Sequence, residues 1–387
     1  TFRRLSSYRN SNTLAAFFGR VNYNYDNRYL VQATVRSDGS SKFGADNRWG
    51  FFPSIALGWR ISEEAFFPED IALNNLKLRA SWGRLGNENA LGYYDFLALI
   101  STYNTKYQGY VKGNGDNAWA GSIARGLENR SLKWETTDTK NIGVDFGLFN
   151  NKLTGALNYY YNQTEELLIT KALPPSAGLN NPILNVGKIR NSGVEFEVNW
   201  ADSKGGFDYN IGMNFSTTDN KVMELADDGQ VLYGEGLKYG TEHFPTQTRV
   251  GKPIGAFYLY KTDGLFQSDA EARQYVNADG VEYQPFADAG DIKFVDVNGD
   301  GEINDDDKVY CGSGIPTLEV NLNFSVGYKG FDLSVVLGSA WGHKLYNGNK
   351  YFYEGMNSGS NFLTSSLNAW TSQNTNTNVP RAIYNDP

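Results

Sequence analysis

An all-β fold, the wall of a transmembrane antiparallel β-barrel with long loops at one end, is what this sequence predicts from three observations. Apolar and polar residues alternate strictly in segment after segment, as in a sheet with one apolar and one polar face. The apolar content is rich in Tyr (25) and Phe (23), while 42 glycines supply turns. No stretch approaches 18 consecutive apolar residues, so no helical span is expected; a mean hydropathy of -0.48 does not count against a barrel, because only every second residue of a lipid-facing strand is apolar.

In chain order, the first runs are Tyr29, Val31, Ala33, Val35 and then Leu76, Leu78, Ala80, Trp82, the latter set against Lys77, Arg79 and Ser81. Ile142, Val144, Phe146, Leu148 and Leu153, Gly155, Leu157, Tyr159, Tyr161 follow, then Val194, Phe196, Val198, Trp200. The clearest are Phe207, Tyr209, Ile211, Met213, Phe215 against Asp208, Asn210, Gly212, Asn214, and Leu318, Val320, Leu322, Phe324, Val326 against Glu319, Asn321, Asn323, Ser325. One face of each run suits lipid, and aromatic residues near the run ends suit its interfaces.

Connection lengths separate a barrel from a soluble sandwich. Short turns are expected at Asp26-Asn27, Asn150-Asn151, Asp202 to Gly205 and Lys329-Gly330, with a medium connection from Ser62 to Asn74. Long segments lie near 39–48, 88–131, 166–187, 221–316 and from 344 onward. Traced up and down, every short turn falls at one end and every long segment at the other, the arrangement of periplasmic turns and extracellular loops. The parity requires 221–316 to be one external insertion, its apolar stretch Ile254 to Tyr260 included, and leaves about ten spanning strands. The expected organisation is barrel strands with loops over 1–220, an extracellular insertion over 221–316, and barrel strands with a final loop over 317–387, closure needing strands outside this sequence.

Charge and composition exclude several functions. A net charge of -8 with scattered basic residues leaves no footprint for nucleic acid. The single Cys311 allows neither an internal disulfide nor a cysteine metal cluster. His243 and His343 have no neighbouring nucleophile motif, Glu165-Glu166 is an unsupported carboxylate pair, and Glu195 and Glu197 alternate on one strand and should face the lumen, so no enzyme is expected. Asn162-Gln163-Thr164 is read as an ordinary strand-end triplet.

Residues 296–307 follow the order of a calcium loop. Asp296, Asn298 and Asp300 stand at positions 1, 3 and 5, Gly301 at the sharp turn, Glu302 at the carbonyl position, Asn304 at position 9 and Asp307 at position 12 in place of the usual Glu. The preceding Asp291 to Val295 alternates like a strand, so the expected role of Ca2+ is structural, clamping an insertion with little core of its own. Aromatic residues Tyr94, Tyr107, Tyr110, Trp119, Tyr351, Tyr353 and Trp370 enrich the long segments, where they would stack on sugars, meet a partner or pack on one another.

Five stretches resemble one family. RSDGSSKFGADNRWGFFPSIALGWRISEEAFF (36–67), LNNLKLRASWGRLGN (73–87), NVGKIRNSGVEFEVNW (185–200), GKPIGAFYLYKTDGLFQ (251–267) and the run from GDIKFVDVNGDGEINDDDKVYCGSGIP through GSAWGHKLYN (290–347) are similar, in order, to blocks of SusC/RagA-like TonB-dependent outer-membrane transporters, here their C-terminal barrel portion. The resemblance implies a barrel of about 22 strands with an N-terminal plug, the plug and the remaining strands being expected outside this sequence. It also implies active import of a large polar nutrient, an oligosaccharide before a peptide, under a SusD-like surface lipoprotein, with TonB acting through the missing N-terminal region. The rival reading is a calcium-ordered surface-binding or adhesion protein, distinguished by whether that region holds a plug and TonB box.

Overall fold

The computed structural model describes residues 9–68, 70–103, 109–111, 118–124, 126–171, 173–227, 229–234, 237–239, 241–356 and 361–383. It contains the expected wall. Ten strands, β1 (Leu14–Tyr25), β2 (Tyr29–Ser40), β3 (Trp49–Arg60), β4 (Leu73–Asn87), β5 (Glu135–Leu148), β6 (Leu153–Glu165), β7 (Lys188–Lys204), β8 (Phe207–Thr217), β9 (Leu318–Tyr328) and β10 (Phe331–Trp341), pair antiparallel in sequence order.

Each hairpin at one end is short because its residues accept positive φ. Lys329 (48°) with Gly330 (87°) makes a two-residue turn between Tyr328 and Phe331 whose twist matches paired strands, and Asp26 (49°) with Asn27 (54°) opens a three-residue loop, Asp26 to Arg28, between Tyr25 and Tyr29. The β7–β8 turn is Gly205-Gly206; β7 runs on through Lys204, taking in the first three residues of the turn expected from Asp202, because Asp202, Ser203 and Lys204 still pair with Tyr209, Asp208 and Phe207. Pro53 lies inside β3, opposite Val35. There β3 has β2 alone as a neighbour, since its pairing with β4 ends at Ser54 opposite Gly83, and one lost donor is tolerated as on an edge.

The register carries a barrel's stagger. One hydrogen-bonded row passes Tyr25, Tyr29, Trp59, Leu78, Val144, Leu157, Phe196, Phe215, Val320 and Ser339. It begins at the short-turn end of β1 and reaches β10 about eight residues above that end, which over about nine strand spacings is a tilt of roughly 30°. All but the last of this row are apolar or aromatic, and Ile211 (50%) and Leu333 (55%) on the same face stand open. An apolar face this continuous needs lipid against it. At the short-turn end, Phe207 stacks on Tyr328 at 4.0 Å and Phe149 packs on Trp200 at 6.0 Å, forming an aromatic edge to the belt.

The opposite face is polar. Arg79 reaches Asp145 at 2.7 Å and the Asn158 amide oxygen at 2.8 Å, and Lys77 lies 3.6 Å from Asp145. Being half exposed, each pair contributes at most about 1 kcal/mol, so the network shapes the surface more than it holds the wall.

At the long-loop end of the wall, Phe43, Leu91 and Leu132 from three connections close over Phe52 of β3 and Trp134 at the foot of β5. Trp134 lies 4.9 Å from Phe43 and edge-on to Phe52 at 5.5 Å, and its indole N–H donates to the Arg48 carbonyl. Room for Phe52 comes from absent side chains: a Cβ on Gly86 would fall 2.1 Å from its ring and one on Gly50 2.3 Å. This core explains why RWGFF and SWGRLG occur in these forms.

By contacts the chain forms two compact units, Thr1–Gln230 with Arg249–Lys252 and Pro316–Gly342, and Val231–Thr248 with Pro253–Ile315 and His343–Pro387. The first contains the wall. In the second, Ala256–Tyr260, the apolar stretch omitted from the wall above, pairs instead with Thr246–Thr248 and Lys308–Gly312 in a small four-stranded sheet. Phe266, Ala272 and Ala287 form its buried cluster against Tyr275.

Candidate functional site

The acidic loop is held in the second unit between the strand Ile292–Phe294 and a single 3-10 turn, Asp305–Asp307, that leads into Lys308–Gly312. Gly299 (φ 76°) and Gly301 (φ 91°) let the backbone reverse twice within a few residues. The reversal brings N–H groups onto the acidic side chains: Gly299 and Gly301 donate to the two oxygens of Asp296 at 2.6 and 2.9 Å, Asp300 to Asn298 at 2.8 Å, and Glu302 to Asp300 at 2.9 Å.

Asp307 is the buried centre of the loop, with 0% of its surface exposed. Val297 and Asn298 donate to one of its oxygens at 2.7 and 3.3 Å, and Asn304 donates to the other at 2.8 Å. Burial alone would raise this carboxyl, but the backbone donors of Asn304, Val297 and Asn298 outweigh it and hold it below the usual carboxylate range. Asn304 accepts in turn from Asp306 at 2.8 Å.

Among the described residues, no three His, Cys, Asp or Glu side chains are gathered to hold a metal. What the loop offers is a different set, carboxylates spaced by Asn298 and a backbone carbonyl, wound through the turns that the motif order requires. Each carboxylate oxygen that accepts one N–H keeps a further lone pair. The donors are all hard oxygens, of the kind Ca2+ takes.

Around the loop, Asn277 donates to the Gly301 carbonyl at 2.9 Å and Tyr275 to the Phe294 carbonyl at 2.7 Å. Tyr260 donates to Asp305 at 3.1 Å, and burial, followed by that carboxylate, pushes its hydroxyl up to about 12. The sequence reading missed a further clamp. Arg381 grips Asp291 through two nitrogens at 2.6 and 2.9 Å and reaches Asp288 at 3.3 Å, tying the last described segment beneath the loop. Nothing local marks Arg381, because its partners lie about 90 residues earlier.

The aromatic candidates have different fates. Trp370 packs on Gly290, where a Cβ would fall 2.6 Å from its ring, and is an anchor for the Arg381 segment. Tyr94 (38%) and Tyr353 (45%) are exposed, Tyr94 beside Tyr93 with ring centres 6.4 Å apart. Tyr110 and Trp119 stand opposite each other in a small hairpin, Tyr351 lies in the short helix Gly348–Tyr353, and Tyr107 is outside the described residues.

With wall, stagger, rim and loop in place, comparison with known proteins decides the family: residues 2–371 match the model described as TonB dependent receptor-like, beta-barrel. The chain belongs to the TonB-dependent receptor β-barrel family. It is 32% identical over 378 residues to TonB-dependent receptor P3 of Formosa agariphila, covering 97% of this chain and 36% of that protein. TonB-dependent receptor SusC of Bacteroides thetaiotaomicron is 32% identical over 371 residues, covering 94% of this chain and 34% of SusC. The RagAB peptide transporter shares the fold at a TM-score of 0.76 with 24% identity, over 96% of this chain and 38% of that one.

The SusC/RagA resemblance read from the five blocks is therefore correct, and so is placement in the outer membrane. The chain spans about a third of the length of these relatives. As in other TonB-dependent receptor barrels, no described helix is long and apolar enough to cross a membrane; the strands cross it.

Proposed function

We propose that this chain is the wall and surface portion of a TonB-dependent importer for a large polar nutrient, an oligosaccharide before a peptide, working with a SusD-like surface lipoprotein as lid and with TonB engaging a region outside this chain. The observation that carries the reading is family membership over residues 2–371. The polar face supports it: Glu195, Glu197 and Glu319 are open on the side that carries the Arg79 network, a surface suited to water and hydrated solutes. Purifying the full-length protein from outer membranes in mild detergent, with mass spectrometry of what accompanies it, tests the reading. A stoichiometric SusD-like lipoprotein is the expected result; a solitary barrel would favour an uncapped TonB-dependent receptor or the surface-binding alternative.

We infer further that Asp296, Asn298, Asp300, Glu302 through its carbonyl, Asn304 directly or through water, and Asp307 hold one structural Ca2+. The support is the order of hard oxygen donors and the double reversal at Gly299 and Gly301. Bound Ca2+ would screen the carboxylates from one another and order the insertion. If calcium is present at about 100 times its dissociation constant, EGTA should remove about 2.7 kcal/mol from the unit that holds it. Faster hydrogen exchange at Val297 to Asn304 of the full-length protein would record this, and exchange indifferent to EGTA and added Ca2+ would exclude the ion.

A further inference from the structure

The connection after β3 does not hang below the wall; it folds back onto the wall's apolar side. Its anchor is Glu64, whose side chain is 10% exposed. One carboxylate oxygen accepts from the Tyr29 hydroxyl at 2.6 Å and from the Trp59 indole N–H at 2.9 Å, while Arg28 reaches the other at 3.3 Å. Tyr29 and Trp59 are neighbours in the lipid-facing row, so a carboxylate that bonds both must lie on the outside of the wall.

That position explains the number of donors. A carboxylate in a periplasmic turn would be hydrated without help, whereas one at the hydrocarbon edge needs a cation and fixed N–H or O–H groups. Here the Tyr29 hydroxyl and then the Trp59 N–H, with Arg28, hold Glu64 below the usual carboxylate range, so it stays ionised. The same turn closes through Glu64 N–H to the Ile61 carbonyl at 3.1 Å and Phe67 N–H to the Glu64 carbonyl at 2.9 Å. Between them Phe66 is left 69% exposed, in the turn that Glu64 ties to Tyr29 and Trp59. An exposed aromatic ring on a turn anchored to a lipid-facing surface can extend that surface.

We propose that residues 61–68 form an interfacial foot, with Phe66 inserted among the phospholipids of the leaflet on the short-turn side and Glu63 and Glu64 at headgroup level. The occupant is phospholipid because the foot is continuous with the lipid-facing belt through Tyr29 and Trp59. The exposed Glu63 favours zwitterionic headgroups bearing an ammonium group over anionic ones. The proposal needs only the membrane placement of the wall and stands or falls separately from the transport reading.

The test uses the full-length protein in phosphatidylethanolamine nanodiscs, with a spin label at Phe66→Cys and, as reference, at Ser203→Cys on the exposed polar face beside the β7–β8 turn, other cysteines having been replaced. The label at 66 should collide severalfold more with oxygen and less with a water-soluble nickel complex than the label at 203. Adding Glu64→Gln, which weakens the anchor, should move the label at 66 toward water. Unsubstituted protein photolysed with a phospholipid carrying a diazirine near the glycerol provides a second readout, in which lipid should attach to the peptide containing 61–68. Nickel access at 66 equal to that at 203, or no lipid on that peptide, would overturn the proposal. Protection found only in whole outer membranes would overturn it in favour of a periplasmic protein.

Discussion

Gly193→Ala is expected to block assembly of the wall. A Cβ there would lie 1.9 Å from the Thr217 carbonyl oxygen, 2.8 Å from its carbon and 2.8 Å from the Tyr160 hydroxyl. The crowding has a structural cause. Ladder pairing between β7 and the β8 side is interrupted at 217–218 without loss of register, since Glu195 still faces Ser216 on one side and Ser192 faces Asp219 on the other. Within the gap the Thr217 hydroxyl takes the place of backbone partners, accepting from Val194 N–H at 2.9 Å, and Tyr160 donates to the Thr217 carbonyl at 2.9 Å.

The two Thr217 atoms are backbone and cannot swing aside as the Tyr160 hydroxyl could, so an added methyl must separate two strands. Overpacking in a well-filled site costs about 1–3 kcal/mol, and a clash with backbone oxygen lies at or above the top of that range. The matched control is Gly19→Ala, where a Cβ meets nothing within 4 Å. Loss of the compact, heat-modifiable band on unboiled gels for Gly193→Ala but not Gly19→Ala is the expected outcome; equal folding of both would show that the bend relaxes.

Asp307→Ala is expected to unfold the acidic loop with or without calcium. The substitution leaves the N–H groups of Val297, Asn298 and Asn304 without their acceptor. A buried donor left unpaired costs about 1–3 kcal/mol, so the loop loses several kcal/mol of local stability before any ion is considered. Asp300→Asn, by contrast, keeps an oxygen for the Glu302 N–H and loses one charge and the exposed Asn298 amide bond to the other oxygen, so it should weaken calcium binding and disturb the calcium-free loop much less than Asp307→Ala. Hydrogen exchange of the full-length variants, in EGTA and in excess Ca2+, separates the two effects. If Asp307→Ala matched the parent in EGTA, Asp307 would be a ligand without the structural role assigned to it.

The two substitutions mark different depths of legibility. The wall was readable because side-chain direction in a strand repeats every two residues: Phe207 to Phe215 or Leu318 to Val326 declares its apolar face with no knowledge of its neighbours. Turns with Asp26-Asn27 and Lys329-Gly330 were readable because positive φ restricts residue choice locally. Positions 296–307 showed their order of oxygen donors for the same reason.

Tertiary structure alone decided the rest. That Phe52 of β3 fits the space left at Gly86 of β4 beneath Trp134, that Gly193 presses on Thr217, that Arg381 clamps Asp288 and Asp291, and that Glu64 turns outward to Tyr29 and Trp59 depends on strands and loops distant in the chain. Alternation specifies which side of the wall each residue faces. It does not specify which loop closes over which, because those contacts are set by complementary shape and by the pairing of buried polar groups, which one sequence displays only once it is folded.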